Sequence, residues 1–400
     1  MTSKNGFDPG YEREAKLPRR DWVLLPVLCL ATICLLAGSV EFGARRMFKK
    51  LDAAGQDCLT LDYASAWVRG IPNCKVWEKI PEGELTEYRF NSSGYRNNFD
   101  FGPKSPDTYR IVMIGTSMAA GFRVPEQQTF GALLPAELSR RTGRKVELYN
   151  EALPWRVSSS LQRYFNETIA TNPDLILWIL MPSDIENPSW VHRDGVNPLS
   201  QRAGVWHRIR AALATGSFRS SIAAIFIQSR TATLLRILLY ASPSQYVKSA
   251  LHEGDYKTEF LKSEPSPEWQ KDLSGFKSNA ANIEGQASKA GIPLVAVLLP
   301  DRKQAAMISL MGDWPRGFDP YKLDNDLRAI ISNHGGTYID ILPDFRAIPN
   351  PQLDYFAIDG HLNPKGHAMI NRLLSEKLTN GAVAGLTASG QKRIGSETGQ

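Results

Sequence analysis

Residues 22–40 (WVLLPVLCLATICLLAGSV) form an uncharged, strongly apolar segment near the start of the 400-residue chain. A helix of this length rises about 28 Å, which is close to the hydrocarbon thickness of a bilayer. Pairs of arginines flank the segment at 19–20 and at 45–46. We therefore predict a transmembrane signal anchor that follows a cytoplasmic leader at residues 1–21. The alternative is a cleaved signal peptide with a small-residue cleavage site at 37–39 (AGS).

The formal charge of +6 is unevenly distributed along the chain. Residues 1–50 carry a net +4 and residues 379–400 a net +1, so the body between them is nearly neutral. Nucleic-acid-binding domains concentrate basic charge on one surface, and we therefore predict no nucleic-acid partner. A hydrophobic content of 42% and an aromatic content of 10% exclude an intrinsically disordered chain.

The distribution of basic residues hardly discriminates between the two orientations in a membrane, because similar numbers lie on each side of the apolar segment. Cys58 and Cys74 lie just beyond that segment. A disulfide between them would indicate an oxidising compartment, whereas two free thiols would not. Our working prediction places the N-terminus inside and the body outside the cytoplasm.

Short apolar runs alternate with helix-like segments from residue 110 onward, which is typical of a parallel sheet covered on both faces. We predict a doubly wound, flavodoxin-like α/β domain of about five strands at 109–378. The predicted strands are 110–114, 146–149, 175–181, 292–299 and 337–341, and the predicted helices are 127–141, 158–171, 267–290, 323–333 and 365–378.

Three other regions complete the predicted organisation. Residues 41–108 contain turn signals without a long periodic segment, which predicts an irregular lead-in. A helical insertion is expected at about 190–267, where the stretch 205–241 either packs on the sheet or rests on the bilayer as an amphipathic element. Residues 379–400 are poor in large apolar side chains, which predicts a disordered tail.

Two pieces of sequence carry residues suited to nucleophilic catalysis. Ser117 directly follows the first predicted strand, at the carboxyl edge where parallel sheets bind ligands, although a serine there is more often a helix cap. Asp359 and His361 lie two residues apart in a turn before the last predicted helix. Such an aspartate can orient the imidazole while His361 takes the proton of Ser117. His367 is expected on the helix that Pro364 begins.

The chain resembles the SGNH/GDSL hydrolase superfamily, in particular its membrane-anchored bacterial members and polysaccharide O-acetyltransferase-like domains. The resemblance rests on residues 91–96 (NSSGYR), 110–117 (RIVMIGTS), 149–155 (YNEALPW), 181–184 (MPSD) and the Asp-x-His turn at 359–361. It implies a catalytic set of Ser117, Asp359 and His361. It also implies a single-pass protein of the bacterial inner membrane whose catalytic domain faces the periplasm or the exterior.

The departures from the family pattern concern the oxyanion hole. Family members use the N–H of the nucleophilic serine, a glycine N–H and an asparagine side chain. Here the corresponding candidates are Ser117, Ala152 and Ser183, with Asn150 as a further donor. Loss of one such donor typically lowers kcat by about 10²–10³, so the resemblance also allows a domain with reduced activity.

Other catalytic classes have weaker support. Residues 115–119 (GTSMA) approach the nucleophile elbow of α/β-hydrolases, but in that fold the acid and the histidine lie on separate loops. The sequence contains no H-E-x-x-H, C-x-x-C, G-x-G-x-x-G or P-loop motif. We therefore predict a protein that needs no metal or cofactor.

These observations lead to two functional hypotheses. The first is an extracytoplasmic serine esterase or O-acyltransferase that acts on acyl esters, acetyl in the first instance, of a glycan or another acceptor. Trp155 and Trp190 are candidates for stacking on a sugar, although packing explains them as well. A membrane protein that donates acyl groups is a possible partner. The second hypothesis is a catalytically degenerate domain that binds glycan or serves in assembly.

Overall fold

The computed structural model describes residue 18 and residues 20–47, 55–62, 67–185, 229–252 and 256–387. Its strands are β1 (Leu59–Asp62), β2 (Trp67–Gly70), β3 (Lys75–Glu78), β4 (Thr86–Arg89), β5 (Thr108–Gly115), β6 (Lys145–Asn150), β7 (Leu175–Leu180), β8 (Leu294–Leu298) and β9 (Thr337–Ile339). Its α-helices are α1 (Asp21–Met47), α2 (Phe130–Thr142), α3 (Ser158–Ala170), α4 (Arg230–Leu239), α5 (Pro243–His252), α6 (Pro267–Lys289), α7 (Arg302–Ser309), α8 (Lys322–Asn333) and α9 (Pro364–Lys377).

Five parallel strands form the central sheet in the order β6-β5-β7-β8-β9. Counted along the chain this is the order 2-1-3-4-5 of flavodoxin-like folds. Every residue of β5, β7 and β8 is buried, as expected for inner strands covered on both faces. The predicted doubly wound α/β class is therefore confirmed.

The helices cover both faces because the chain moves from β5 to its neighbour β6 in one direction and from β6 past β5 to β7 in the opposite direction. Right-handed connections then place α2 on one face and α3 on the other. In agreement, α2 packs against α9, and α3 packs against α6. The N-cap Thr129 and the left-handed Gly143 set the limits of α2. The carboxyl ends of the strands all meet at one edge of the sheet, which is where the candidate site lies.

The lead-in at 41–108 contains regular structure that the sequence analysis did not predict. Strands β1 and β2 pair antiparallel, as do β3 and β4. A disulfide joins Cys58 to Cys74, with a Cα–Cα distance of 5.5 Å. Strands of four residues are too short to produce a visible periodicity, which is why the expectation of an irregular segment was wrong.

The beginning of the predicted tail is also ordered. Helical turns at Leu378–Ala382 and Ala384–Leu386 follow α9, and Leu386 is fully buried. The Gly385 carbonyl accepts a hydrogen bond of 2.8 Å from Arg144, at the amino end of β6. The prediction of disorder from residue 379 was therefore wrong for this part. Burial of Val383 and Leu386 is enough to hold this short segment against the domain. Residues 388–400 lie outside the described residues.

Helix α1 contains the predicted membrane segment. Within the described ranges it is the one helix long and apolar enough to cross a membrane, and its apolar stretch makes no buried contact. The later part of the predicted insertion contains the described helices α4 and α5, whereas its earlier part falls within residues 186–228, which lie outside the described residues.

Glu284 on α6 is a buried carboxyl whose two oxygens have no hydrogen-bond partner among the described residues. Burial raises its pKa from 4.5 to about 8. Because this pKa is higher in the folded than in the unfolded chain, stability is lost as the pH rises through that interval. We expect Glu284→Met to stabilise the chain by about 1–3 kcal/mol at pH 8.5 and by much less at pH 5.

Thermal unfolding of the full chain in detergent at these two pH values measures the difference. Glu264→Met, at an exposed position just before α6, serves as the control and should change the melting temperature equally at both pH values. An equal gain from Glu284→Met at pH 5 and pH 8.5 would contradict the assignment of a buried, protonated carboxyl.

Candidate active site

Ser117 lies in the tight turn that follows β5. At Gly115, the last residue of β5, a Cβ atom would lie 2.6 Å from the Ile179 carbonyl oxygen of β7, so a side chain there would displace the neighbouring strand. The turn then closes through hydrogen bonds from Ala120 N–H to the Thr116 carbonyl and from Phe122 N–H to the Ser117 carbonyl. As a result the Ser117 side chain is half-exposed at the carboxyl edge of the sheet.

Asp359 and His361 lie in a turn that leads into α9. Gly360 between them has a φ of 84°, a left-handed conformation that glycine adopts without strain. The Phe356 N–H donates to the His361 carbonyl at 2.8 Å, and Asn363 caps α9. The two ends of this turn are thereby fixed, which holds both side chains towards the end of β5.

The structure brings Ser117, His361 and Asp359 into one hydrogen-bonded chain. The Nε2 atom of His361 lies 2.8 Å from Ser117 Oγ, and its Nδ1 atom lies 2.5 Å from Asp359 Oδ1. Burial alone would raise the pKa of Asp359, but the nearby His361 and Arg123 outweigh this effect and hold the pKa well below its usual range. The carboxylate therefore stays ionised, and the imidazole can accept the serine proton at Nε2.

Arg123 is a site residue that the sequence analysis missed. Its Nε donates to the second oxygen of Asp359 at 2.9 Å, and its Nη1 donates to Glu78 at the end of β3. Its backbone has a φ of 75°, and its N–H donates to the Tyr88 hydroxyl at 2.7 Å. A lone arginine in the loop after β5 gives no sequence signal, because its partners Glu78, Tyr88 and Asp359 are all distant in the sequence.

Glu82, a second acidic residue of the lead-in, contacts the turn that carries Asp359. The Glu82 carboxylate accepts hydrogen bonds from Ile358 N–H at 3.0 Å and from Asp359 N–H at 2.8 Å. Burial raises the pKa of Glu82, while these hydrogen bonds oppose the rise. The β3–β4 hairpin thus contacts the Asp359 turn twice, once directly and once through Arg123.

The oxyanion-hole candidates are not all available as donors. The Ala152 N–H donates to Asn150 Oδ1 at 3.1 Å, and Asn150 Nδ2 donates to the Ala119 carbonyl at 2.9 Å. These two candidates therefore hold the loop after β6 against the Ser117 turn. The Ser117 N–H itself has no acceptor among the described residues.

Ser183 lies in the short helical turn Pro182–Asp184 that follows β7, at the same edge of the sheet as Ser117. Its side chain is exposed, while the neighbouring Asp184 accepts a hydrogen bond of 2.7 Å from Met181 N–H. Trp155 is half-buried and packs against the core, with a φ of 61°. Trp190 lies outside the described residues.

His367 is fully buried on α9 and is structural. Its Nδ1 accepts a hydrogen bond of 3.2 Å from Phe130 N–H, which requires the neutral imidazole. Burial lowers its pKa to about 3. In the part of the chain that the structure describes, no group of three or more His, Cys, Asp or Glu side chains is placed to hold a metal ion.

Comparison with known proteins gives low similarities. No protein-family model matches the sequence, and no curated protein matches it. Among solved structures, TesA is 12% identical with a TM-score of 0.37, and the two chains are covered by 68% and 99%. The psychrotrophic esterase EstA from Pseudoalteromonas sp. is 10% identical with a TM-score of 0.36 and covers 68% of this chain and 97% of its own.

A lipase/acylhydrolase from Enterococcus faecalis is 11% identical with a TM-score of 0.35 and covers 68% of this chain and 95% of its own. At such values these similarities add nothing to what the chain's own residues show about its chemistry. The narrower likeness to O-acetyltransferase-like domains stays a prediction. The sheet order 2-1-3-4-5, with Ser117 after its first strand and the Asp359 turn before its last helix, agrees with the α/β fold that the resemblance to the SGNH/GDSL hydrolase superfamily implies.

Proposed function

We propose that the protein is a membrane-anchored, extracytoplasmic serine esterase or O-acyltransferase. The observation that carries this proposal is the continuous hydrogen-bonded chain Ser117–His361–Asp359, whose far end is held by Arg123. The half-exposed serine and the ionised aspartate at its two ends are what nucleophilic acyl transfer requires.

The reaction proceeds in two half-reactions. Ser117 Oγ attacks the acyl carbonyl as His361 Nε2 takes its proton, and Asp359 stabilises the resulting imidazolium. Collapse of the tetrahedral intermediate breaks the ester bond, and the imidazolium returns the proton to the leaving alcohol. Water or a sugar hydroxyl then gives its proton to His361 and attacks the acyl-serine. Collapse of the second tetrahedral intermediate breaks the bond to Ser117 Oγ, and His361 returns the proton to that oxygen, which regenerates Ser117.

The oxyanion that forms in each half-reaction needs hydrogen-bond donors. Of the two backbone candidates, the Ser117 N–H is the one without an acceptor among the described residues, whereas the Ala152 N–H donates to Asn150; the Asn150 amide donates to Ala119, and the exposed Ser183 offers only a short hydroxyl. With few donors for the oxyanion, we expect a low kcat. This shortage is also the specific observation that supports the second candidate function, a degenerate domain that binds glycan or serves in assembly.

Location and partners follow from the flanking regions. The apolar helix α1 supports anchoring in a bacterial inner membrane, and the Cys58–Cys74 disulfide supports a periplasmic or exterior position of the body. An anchored enzyme there would act on acyl esters of a glycan, acetyl esters in the first instance, and could accept acyl groups from a membrane donor protein.

The nucleophile can be tested on the full chain in detergent. We expect a fluorophosphonate probe to label the wild-type protein and p-nitrophenyl acetate to be hydrolysed. Ser117→Ala should abolish labelling and lower kcat by about 10³-fold or more. Ser159→Ala on α3 is the matched control and should retain both. Absence of labelling in the wild type, or labelling that survives in Ser117→Ala, would sink the esterase proposal in favour of the binding domain.

The incomplete oxyanion hole gives a gain-of-function prediction. An asparagine amide at position 183 reaches farther than the serine hydroxyl and supplies two donors. We expect Ser183→Asn to raise kcat towards p-nitrophenyl acetate by about 10-fold or more, since one donor is typically worth 10²–10³. An unchanged or lower kcat with intact probe labelling would show that position 183 does not face the oxyanion.

Arg123 should act as a positioning residue through Asp359. Removing its positive charge makes protonation of the coupled Asp359–His361 pair easier, so the acid limb of the kcat/KM profile should move to higher pH in Arg123→Gln. We expect kcat to fall by about 10–10² with little change in KM, and Arg123→Lys to restore part of it.

Arg144→Gln provides the control for this experiment, because it removes an equal charge from an arginine that stacks on Tyr109 at the opposite edge of the sheet. It should leave the acid limb in place. If Arg123→Gln lowers kcat without moving the acid limb, the role of Arg123 is purely structural.

A further inference from the structure

The N-terminus of α4 is bound to the end of the predicted membrane segment. Glu41, the residue directly after the uncharged stretch 22–40, accepts hydrogen bonds from Ser229 Oγ at 2.8 Å and from Arg230 N–H at 3.1 Å. It also accepts from Thr231 N–H at 3.0 Å and from the Thr231 hydroxyl at 2.9 Å. Because Glu41 lies at the boundary of the apolar stretch, α4 begins at the level of the membrane surface.

One face of α4 consists of exposed leucines. Leu235, Leu238 and Leu239 are 53%, 70% and 56% exposed, and their spacing of three and four residues places them on one side of the helix. Thr233 on the other side of the helix is buried, as is Ala232 in its first turn. Single exposed leucines are ordinary on a protein surface, but a contiguous apolar patch marks an interaction surface.

The charges around this face complement an anionic surface. Helices α4 and α5 contain no aspartate or glutamate, and they carry Arg230, Arg236 and Lys248. An apolar helix face bordered by basic residues is typical of helices that lie in the plane of a membrane interface. At ten residues α4 is about 15 Å long, so it can rest on the bilayer beside α1 without crossing it.

The far end of α4 is joined to the turn that carries Asp359. The buried Arg302 donates to the Tyr240 carbonyl, directly after α4, at 3.1 Å. The same guanidinium donates to the Ala357 carbonyl at 2.5 Å and to the Gln352 carbonyl at 3.0 Å. Hydrogen bonds thus connect Glu41 on α1, both ends of α4 and the candidate active site.

We propose that the face formed by Leu235, Leu238 and Leu239 lies in the headgroup region of the bilayer that α1 enters. The same contact holds the Asp359 turn at a fixed height above the membrane. The occupant of this face is the lipid surface. The inference rests on the proposal that α1 is retained as an anchor, because cleavage at 37–39 would separate Glu41 and α4 from the membrane-spanning stretch.

The test uses the full chain in vesicles of phosphatidylcholine and phosphatidylglycerol at 3:1. Replacing Cys29 and Cys34 with alanine leaves only the disulfide-bonded cysteines. An environment-sensitive NBD label is then attached to Leu238→Cys and, separately, to Leu235→Cys. Met311→Cys is the control. Met311 is 73% exposed and follows the C-terminal end of α7, whereas Arg302 is at the N-terminal end of that helix.

We expect blue-shifted emission at 235 and 238 and quenching by lipid with a shallow nitroxide that is at least about twofold stronger than at 311. Iodide should quench only the label at 311. Iodide quenching at all three sites would overturn the inference. Blue-shifted emission without quenching by the nitroxide lipid would also overturn it, because protein would then cover the face.

The anchor is checked separately by carbonate extraction of the same vesicles. A chain that is extracted would refute anchoring by α1, which belongs to the proposed function. A chain that stays with the vesicles while its label at 238 reports water would refute the interfacial position of α4 and leave the anchor intact.

Discussion

The site depends on keeping one half-buried carboxylate, that of Asp359, ionised. Moving a carboxylate out of water is costly unless charged or hydrogen-bonding partners replace the solvent. Asp359 has two such partners. His361 binds one carboxylate oxygen and Arg123 binds the other. These two contacts fix the orientation of the carboxylate and of the imidazole ring. The geometry at Ser117 follows from that orientation.

The ion pair in turn depends on the lead-in rather than on the α/β domain. Arg123 shares its guanidinium with Glu78, and Glu82 accepts the backbone N–H groups of the Asp359 turn. Both glutamates belong to the region of the β3–β4 hairpin, which the disulfide at Cys74 ties to β1. The segment between α1 and the sheet therefore completes the candidate site.

The sequence was informative where a pattern is local. The fully apolar runs of β5, β7 and β8 predict inner parallel strands, and the serine after β5 and the Asp-x-His spacing predict which side chains meet. Arg123 could not be predicted, because its role requires a left-handed backbone and a partner 45 residues away in the chain. The same holds for Asn150, whose amide was expected to serve an oxyanion and instead bonds Ala119 and Ala152.

An oxyanion hole with few donors would be compatible with the membrane position that we propose. A missing donor lowers the rate of each encounter by a factor of about 10²–10³. Confinement of an enzyme and an ester to the same surface raises the effective concentration of the ester to about the millimolar range, as tethering does in solution. Below saturation, the flux is proportional to the product of kcat/KM and the local concentration of the ester. A higher local concentration would therefore offset much of the rate that is lost with the missing oxyanion donor. If α1 and α4 hold the candidate active site at the membrane as we propose, that position would contribute to its catalytic capacity, and a fragment without α1 would understate the activity.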